Sequence, residues 1–142
     1  MCNYTLVYYI YNNMKVTVIH RNSGIEKDEY KFYNNFIKFL QKEYPLKKDV
    51  TIVFLGDRIG EMTTGSRTHD GELRVLTKGR INRDILRTLA HEWTHEYQMK
   101  VLNRRRGPDI GGQNEDEANA ISGQVMKKFE KKYPRIEKKM YD

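Results

Sequence analysis

Six consecutive residues, Val50-Thr51-Ile52-Val53-Phe54-Leu55, are almost wholly apolar and stop at Gly56. Half-buried strands alternate apolar and polar positions. A short run without alternation reads as a central strand buried on both sides. The rest of the chain has to supply the neighbours and the layers that bury it.

The neighbours are legible. Residues 4–11 and 15–20 are rich in Tyr, Val, Ile and Thr, and Asn12-Asn13 between them tolerates a tight turn. Leu73, Val75 and Thr77 alternate with Arg74 and Leu76 behind the turn pair Asp70-Gly71. The polar stretch 62–68 has little to bury and is predicted to be the sheet edge. Three helices are predicted. The first spans roughly 25–43, with Ser23 and Glu26 as a capping box, an apolar face of Tyr30, Tyr33, Phe36, Ile37, Leu40 and Tyr44, and Pro45 as its stop. The second spans about 83–103, capped by Asn82, with Ile85, Leu86, Leu89, Ala90, Trp93, Val101 and Leu102 as its buried side. The third starts near Asn114, buries Ala118, Ile121, Val125, Met126 and Phe129, and ends at Tyr133-Pro134. Residues 103–112 form a loop and 134–142 a charged tail. The fold class is therefore α+β, a small twisted mixed sheet with helices packed on it, in one domain over 1–142.

Composition narrows the function classes. Of 142 residues, 38% are hydrophobic and 32% charged, which suits a globular chain and not a disordered one. A single cysteine, Cys2, excludes a disulfide framework and a multi-cysteine zinc finger. The longest apolar run, Leu6–Tyr11, is too short to span a bilayer, and no secretory leader is visible, so the expectation is a cytoplasmic protein without a membrane partner. The net charge of +7 admits nucleic acid. Arg104-Arg105-Arg106 and the lysines of 127–139 are its carriers. Interspersed acids and the lack of interleaved aromatics favour solvated surface instead.

The chemistry sits in the second helix. His91-Glu92-Trp93-Thr94-His95 is an H-E-x-x-H pattern. Residues four apart on a helix share a face, with Cβ atoms about 6 Å apart, so two imidazoles can converge on one zinc ion. Glu92 points too far round to be a ligand in the same arc and suits a general base that takes a proton from a zinc-bound water. A catalytic zinc needs a third protein ligand and an open position. No histidine follows His95, and the remaining two, His20 and His69, lie upstream. A carboxylate must serve, and the downstream acidic cluster is Glu115-Asp116-Glu117.

Asn114-Glu115-Asp116-Glu117-Ala118-Asn119 resembles the N-E-x-x-[S/A]-[D/N] signature of gluzincin metallopeptidases, including the ImmA/IrrE type and the minigluzincins. The resemblance implies a minimal zincin-like fold, with an active-site helix and a glutamate helix packed antiparallel. It implies Glu115 as third zinc ligand and Asn119 as the side chain that orients His91. Ala118 falls at the small position that lets the helices approach. The helix period agrees about the ligand: Glu115 lies three residues before Ala118 on the buried side, while Glu117 points about 200° away from Glu115. Glu117 and then Asp116 remain the substitutes.

The resemblance covers 23–133 as an order of elements, and His91–His95 with Asn114–Asn119 as residues. It leaves no room for the separate domain that carries a transition-state donor in large gluzincins. His69, Tyr97 and Arg104 to Arg106 are the candidates for that task. The edge strand near Thr63–Thr68 could hold an extended peptide by strand addition. The tail, or Cys2 as a thiolate, could block the metal. The functional expectation is a zinc endopeptidase acting on a peptide or protein. The competing expectations are a catalytically inactive module of the same fold that binds a regulatory protein or nucleic acid, and a zinc hydrolase of another amide or ester.

Overall fold

A computed structural model describes residues 3–11, 14–105, 112–134 and 137–142. Its strands are β1 (Asn3–Tyr11), β2 (Met14–Arg21), β3 (Val50–Leu55), β4 (Gly65–Arg67) and β5 (Glu72–Leu76). Its helices are α1 (Tyr30–Glu43), α2 (Asn82–Lys100), α3 (Gln113–Lys132) and the single turn α4 (Glu137–Met140). The strands form one mixed sheet in the order β1-β2-β3-β5-β4. The apolar run is β3, and it lies in the middle, parallel to β2 on one side and to β5 on the other. The two flanking pairs, β1 with β2 and β4 with β5, are antiparallel. The class is thus α+β with a mixed sheet, as the pattern required.

Register decides which side chains meet. Val16 pairs with Val50, Val18 with Ile52, Ile52 with Leu73 and Phe54 with Val75. All of these point to the face covered by the helices and are fully buried. Val53 and Leu55, on the opposite face of β3, are buried as well, which explains the missing alternation. Phe129 of α3 is the hub on the helix side, with its ring against Phe36 at 4.9 Å and Phe39 at 5.5 Å. Trp93 fixes α2 to the end of α1 by donating its indole N–H to the Tyr44 carbonyl at 2.9 Å.

Several local expectations give way to tertiary structure. Ser23 does not cap α1, which starts at Tyr30 after a 3₁₀ turn at Lys27–Glu29. Its hydroxyl instead accepts the Ile25 N–H and contacts His20 Nδ1 at 3.0 Å. Asn82 is not the cap of α2; Ile81 is, and no side chain caps it. The Asn82 side chain is recruited elsewhere: it accepts the Tyr33 hydroxyl and donates to Glu29 and to the Lys139 carbonyl. The edge strand shrinks to Gly65–Arg67. The turn after it forms at Gly71, whose φ of +86° suits the residue without a Cβ. Helix α2 ends at Lys100, not 103, and Leu102 is exposed rather than buried. Asn103 takes the left-handed conformation there.

The described tail buries one residue and leaves others exposed, with Tyr141 61% accessible. Met140 is fully buried, and the Asp142 carbonyl accepts the Asn82 N–H at 3.0 Å. That docks it at the start of α2, about 14 Å along the axis from His91. None of the described tail residues lines the groove that holds His91, His95 and Glu115. Cys2, the Asn12-Asn13 turn and Arg106 lie outside the described residues. Among the described residues no helix is long and apolar enough to cross a membrane.

Candidate metal centre

The first two donors are one turn apart on α2, and the third comes from the first turn of α3. His91 Nε2 lies 2.8 Å from Glu115 Oε1. His95 Nε2 lies 3.0 Å from Glu115 Oε2 and 3.0 Å from His91 Nε2. Around a tetrahedral ion with bonds of about 2.0 Å, neighbouring donors are about 3.3 Å apart, so this triangle is close to the size an ion needs. Among the described residues it is the one group of this kind.

The hydrogen-bond network shows why these atoms call for a cation. Gln98, fully buried three residues beyond His95, donates its amide N–H to the Asn114 carbonyl and to Glu117, both at 3.0 Å. Its amide oxygen therefore accepts, and it faces His95 Nδ1 at 2.9 Å. That assigns a proton to His95 Nδ1 and turns Nε2 toward His91 and Glu115. Burial is the chief influence holding the His91 pKa below its ordinary value, with His95 adding to it; the Glu115 charge and hydrogen bonds donated by the ring to Glu115 and Asn119 oppose the shift. The result is neutral imidazole, the form that binds metal. His91 Nε2, His95 Nε2 and the Glu115 carboxylate thus converge within about 3 Å of one another. Two ring nitrogens and a carboxylate this close can share a divalent cation, so the residues present fit a metal ion. Asn119 lines the same groove as His91.

The acidic cluster divides as the helix period predicts, and Glu117, one third exposed, is held by partners at the surface. Its carboxylate accepts Arg104 at 2.6 Å as well as Gln98. The Arg104 hydrogen bond, then that of Gln98, holds its pKa below the usual carboxylate range. Glu117 braces the loop between the helices, and Asp116 is exposed. Ala118 and Ser122 are buried at the contact of α3 with α2, so small side chains do let the helices approach.

Glu92 is buried and lines the same groove as the triad, a cleft of about 990 Å³ between α2, α3 and the 61–69 segment. Strand β4 forms one wall. Its Gly65 is required there, because a Cβ would lie 2.6 Å from Thr88 Cγ2 and 3.1 Å from Glu92 Oε2. Arg67, two residues on, forms an ion pair with Glu96 at 2.6 Å. Of the candidate transition-state donors, His69 lines the cleft and is exposed. Tyr97 does not line it: two residues past His95 it faces the core and packs edge-on against Tyr44 at 5.5 Å. Arg104 lines the cleft with its charge met by Glu117.

Sequence reasoning missed Gln98 and Gly65. Gln98 carried a signal: it lies seven residues from His91 and three from His95, so it shares the ligand face of α2. Gly65 carried none, because its role depends on how closely β4 approaches α2. No family model, curated protein or solved structure matches this chain.

Proposed function

We propose that this chain is a gluzincin-type zinc metallopeptidase with a minimal zincin-like fold, in which His91, His95 and Glu115 hold zinc and Glu92 is the general base. What supports this reading is the convergence of two imidazoles and one carboxylate beside a buried glutamate in an open groove. Two nitrogens and one oxygen form a donor set suited to zinc, and three protein ligands leave a position free for chemistry.

When bound, the ion supplies Lewis acidity toward a carbonyl oxygen and makes an attacking water more acidic. The chain's own residues do the rest. Glu92 accepts the proton from the attacking water and returns it to the leaving amine. Gln98 and Asn119 keep the two imidazoles in the tautomer and orientation that present lone pairs. The outer edge of β4 offers main-chain hydrogen bonds to an extended peptide. His69 is the candidate left for steadying the developing oxyanion.

Metal content of the purified protein tests the first step. One zinc per chain, absent in Glu115→Ala, is expected. Zinc retained in Glu115→Ala would move the third ligand elsewhere, and no uptake by the wild type from excess zinc would overturn the reading. Glu92→Gln should keep zinc and lose turnover by about 10²–10⁴-fold. Proteolysis retained in zinc-loaded Glu92→Gln would sink the mechanism.

A further inference from the structure

We propose that the groove selects peptides with an aspartate or glutamate about two residues from the bond presented to the metal triad, and that Arg87 receives this carboxylate. The proposal rests on the peptidase reading for its substrate class. It stands on how the cleft's cations are used.

Four cationic side chains line the groove: Arg67, Arg87, Lys100 and Arg104. Arg67 is neutralised by Glu96 and Arg104 by Glu117, each at 2.6 Å. Lys100 donates to the His69 carbonyl at 2.7 Å, which holds its position. Arg87 differs from all three. It is exposed, and among the described residues it has neither hydrogen bond nor ion pair. It also lies four residues before His91, so it rises from the ligand face of α2 one turn from the first histidine.

One turn advances about 5.4 Å along α2. An extended peptide advances about 3.3 Å per residue. A side chain that meets Arg87 therefore comes from a residue about two positions from the one at the triad. A guanidinium pairs best with a carboxylate, which it can hold by two parallel hydrogen bonds. The partner is a peptide rather than a nucleic acid because no phenylalanine, tyrosine or tryptophan lines the groove to stack a base.

The test uses zinc-loaded Glu92→Gln protein, which should bind substrate without consuming it. The probes are octapeptide pools, random except for one position fixed as Asp, Asn or Lys. The Asp pools should be retained about tenfold better than the Asn pools. Arg87→Gln should erase the preference, and Arg87→Glu should turn it toward Lys. Equal retention of the pools, a preference that survives Arg87→Glu, or competition by single-stranded oligonucleotide at the same concentration would each overturn the proposal. The same pools given to zinc-loaded protein with Glu92 intact separate this inference from the reading beneath it. Cleavage at sites without an acidic preference overturns the role of Arg87 and leaves the peptidase. Acid-selective binding without any cleavage overturns the peptidase and leaves Arg87 as an anion-reading residue.

Discussion

The two ends of α2 are both polar and partly buried, yet they are built on opposite principles. At the start, Asn82 sits among Tyr33, Glu29, Lys139 and Asp142, and each hydrogen-bond donor there meets an acceptor. Nothing further is needed to complete that cluster. Further along, His91, His95 and Glu115 bring two ring nitrogens and a carboxylate within about 3 Å of one another. The same helix thus carries a closed polar network that ties the fold together and a second group that could hold a metal ion. Stability and function are separated along its axis.

The sharpest way to break that comparison is to remove one member from each end. Asn82→Ala strands the fully buried Tyr33 hydroxyl and frees the tail. It should cost about 3–4 kcal/mol in denaturant unfolding, with zinc stoichiometry unchanged in the protein that remains folded. Glu115→Ala should do the reverse. It removes a partly exposed carboxylate that no other element of the fold depends on, so the metal-free protein should unfold at about the same denaturant concentration, while zinc binding is lost. A large destabilisation of metal-free Glu115→Ala would show that the triad holds the fold as well.

A third polar site lies between these types and titrates. Burial lowers the pKa of His20 to about 4 from 6.5. Its ring is stacked on Tyr30 at 4.3 Å and on Phe54 at 5.2 Å, Nδ1 meets the Ser23 hydroxyl, and Nε2 has no partner. The unfolded chain takes up a proton at His20 below pH 6.5, and the folded chain does not until about pH 4. Stability should therefore fall as pH drops through that window, by up to about 3 kcal/mol. His20→Phe should lack this component. Unfolding curves for the two proteins at pH 7.5 and 4.5 measure it as a difference of differences. Parallel slopes would show that His20 is already charged in the folded protein.

The brace around the triad is the next smaller effect. Gln98→Ala removes the acceptor that fixes the His95 tautomer and unties Asn114 and Glu117. Zinc affinity should fall about 10–100-fold, with one zinc still bound at saturation. Unchanged affinity in a competition titration would mean that α2 alone orients His95.

These sites also differ in how far the sequence revealed them. The triad was legible because its members obey local spacing: four residues between the histidines, and a helix start that supplies a carboxylate on the buried side. The central position of β3 was legible for the same reason, since double-sided burial leaves a mark in the run itself. Asn82 misled because capping is a local preference, and here a tertiary partner about fifty residues away takes its side chain; Ser23 misled because its hydroxyl goes to His20 and the Ile25 N–H instead. Tyr97 misled by proximity in sequence to His95, when two residues on a helix is nearly half a turn. The docking of Met140 was hidden because a four-residue turn carries no period to read.

Gly65 sharpens the contrast at its finest scale, because there the groove of the candidate metal centre touches the packing of the sheet. An added Cβ would meet Thr88 Cγ2 at 2.6 Å, Glu92 Oε2 at 3.1 Å and the Arg74 carbonyl at 3.2 Å. The Arg74 carbonyl belongs to the paired strand β5 and cannot yield, so β4 or the Glu92 carboxylate has to move. Thr88 is held as well, its hydroxyl accepting Arg80 at 2.7 Å. Gly65→Ala should cost about 1–2 kcal/mol of stability, an ordinary overpacking penalty. Zinc binding should be intact, because the three ligands lie on α2 and α3 and not on β4. Any turnover should fall by more than the stability loss explains, since a displacement near 1 Å at the proposed general base is expensive. Turnover unchanged alongside full zinc occupancy would show that Glu92 has room to retreat, and that the edge strand shapes the groove without positioning the base.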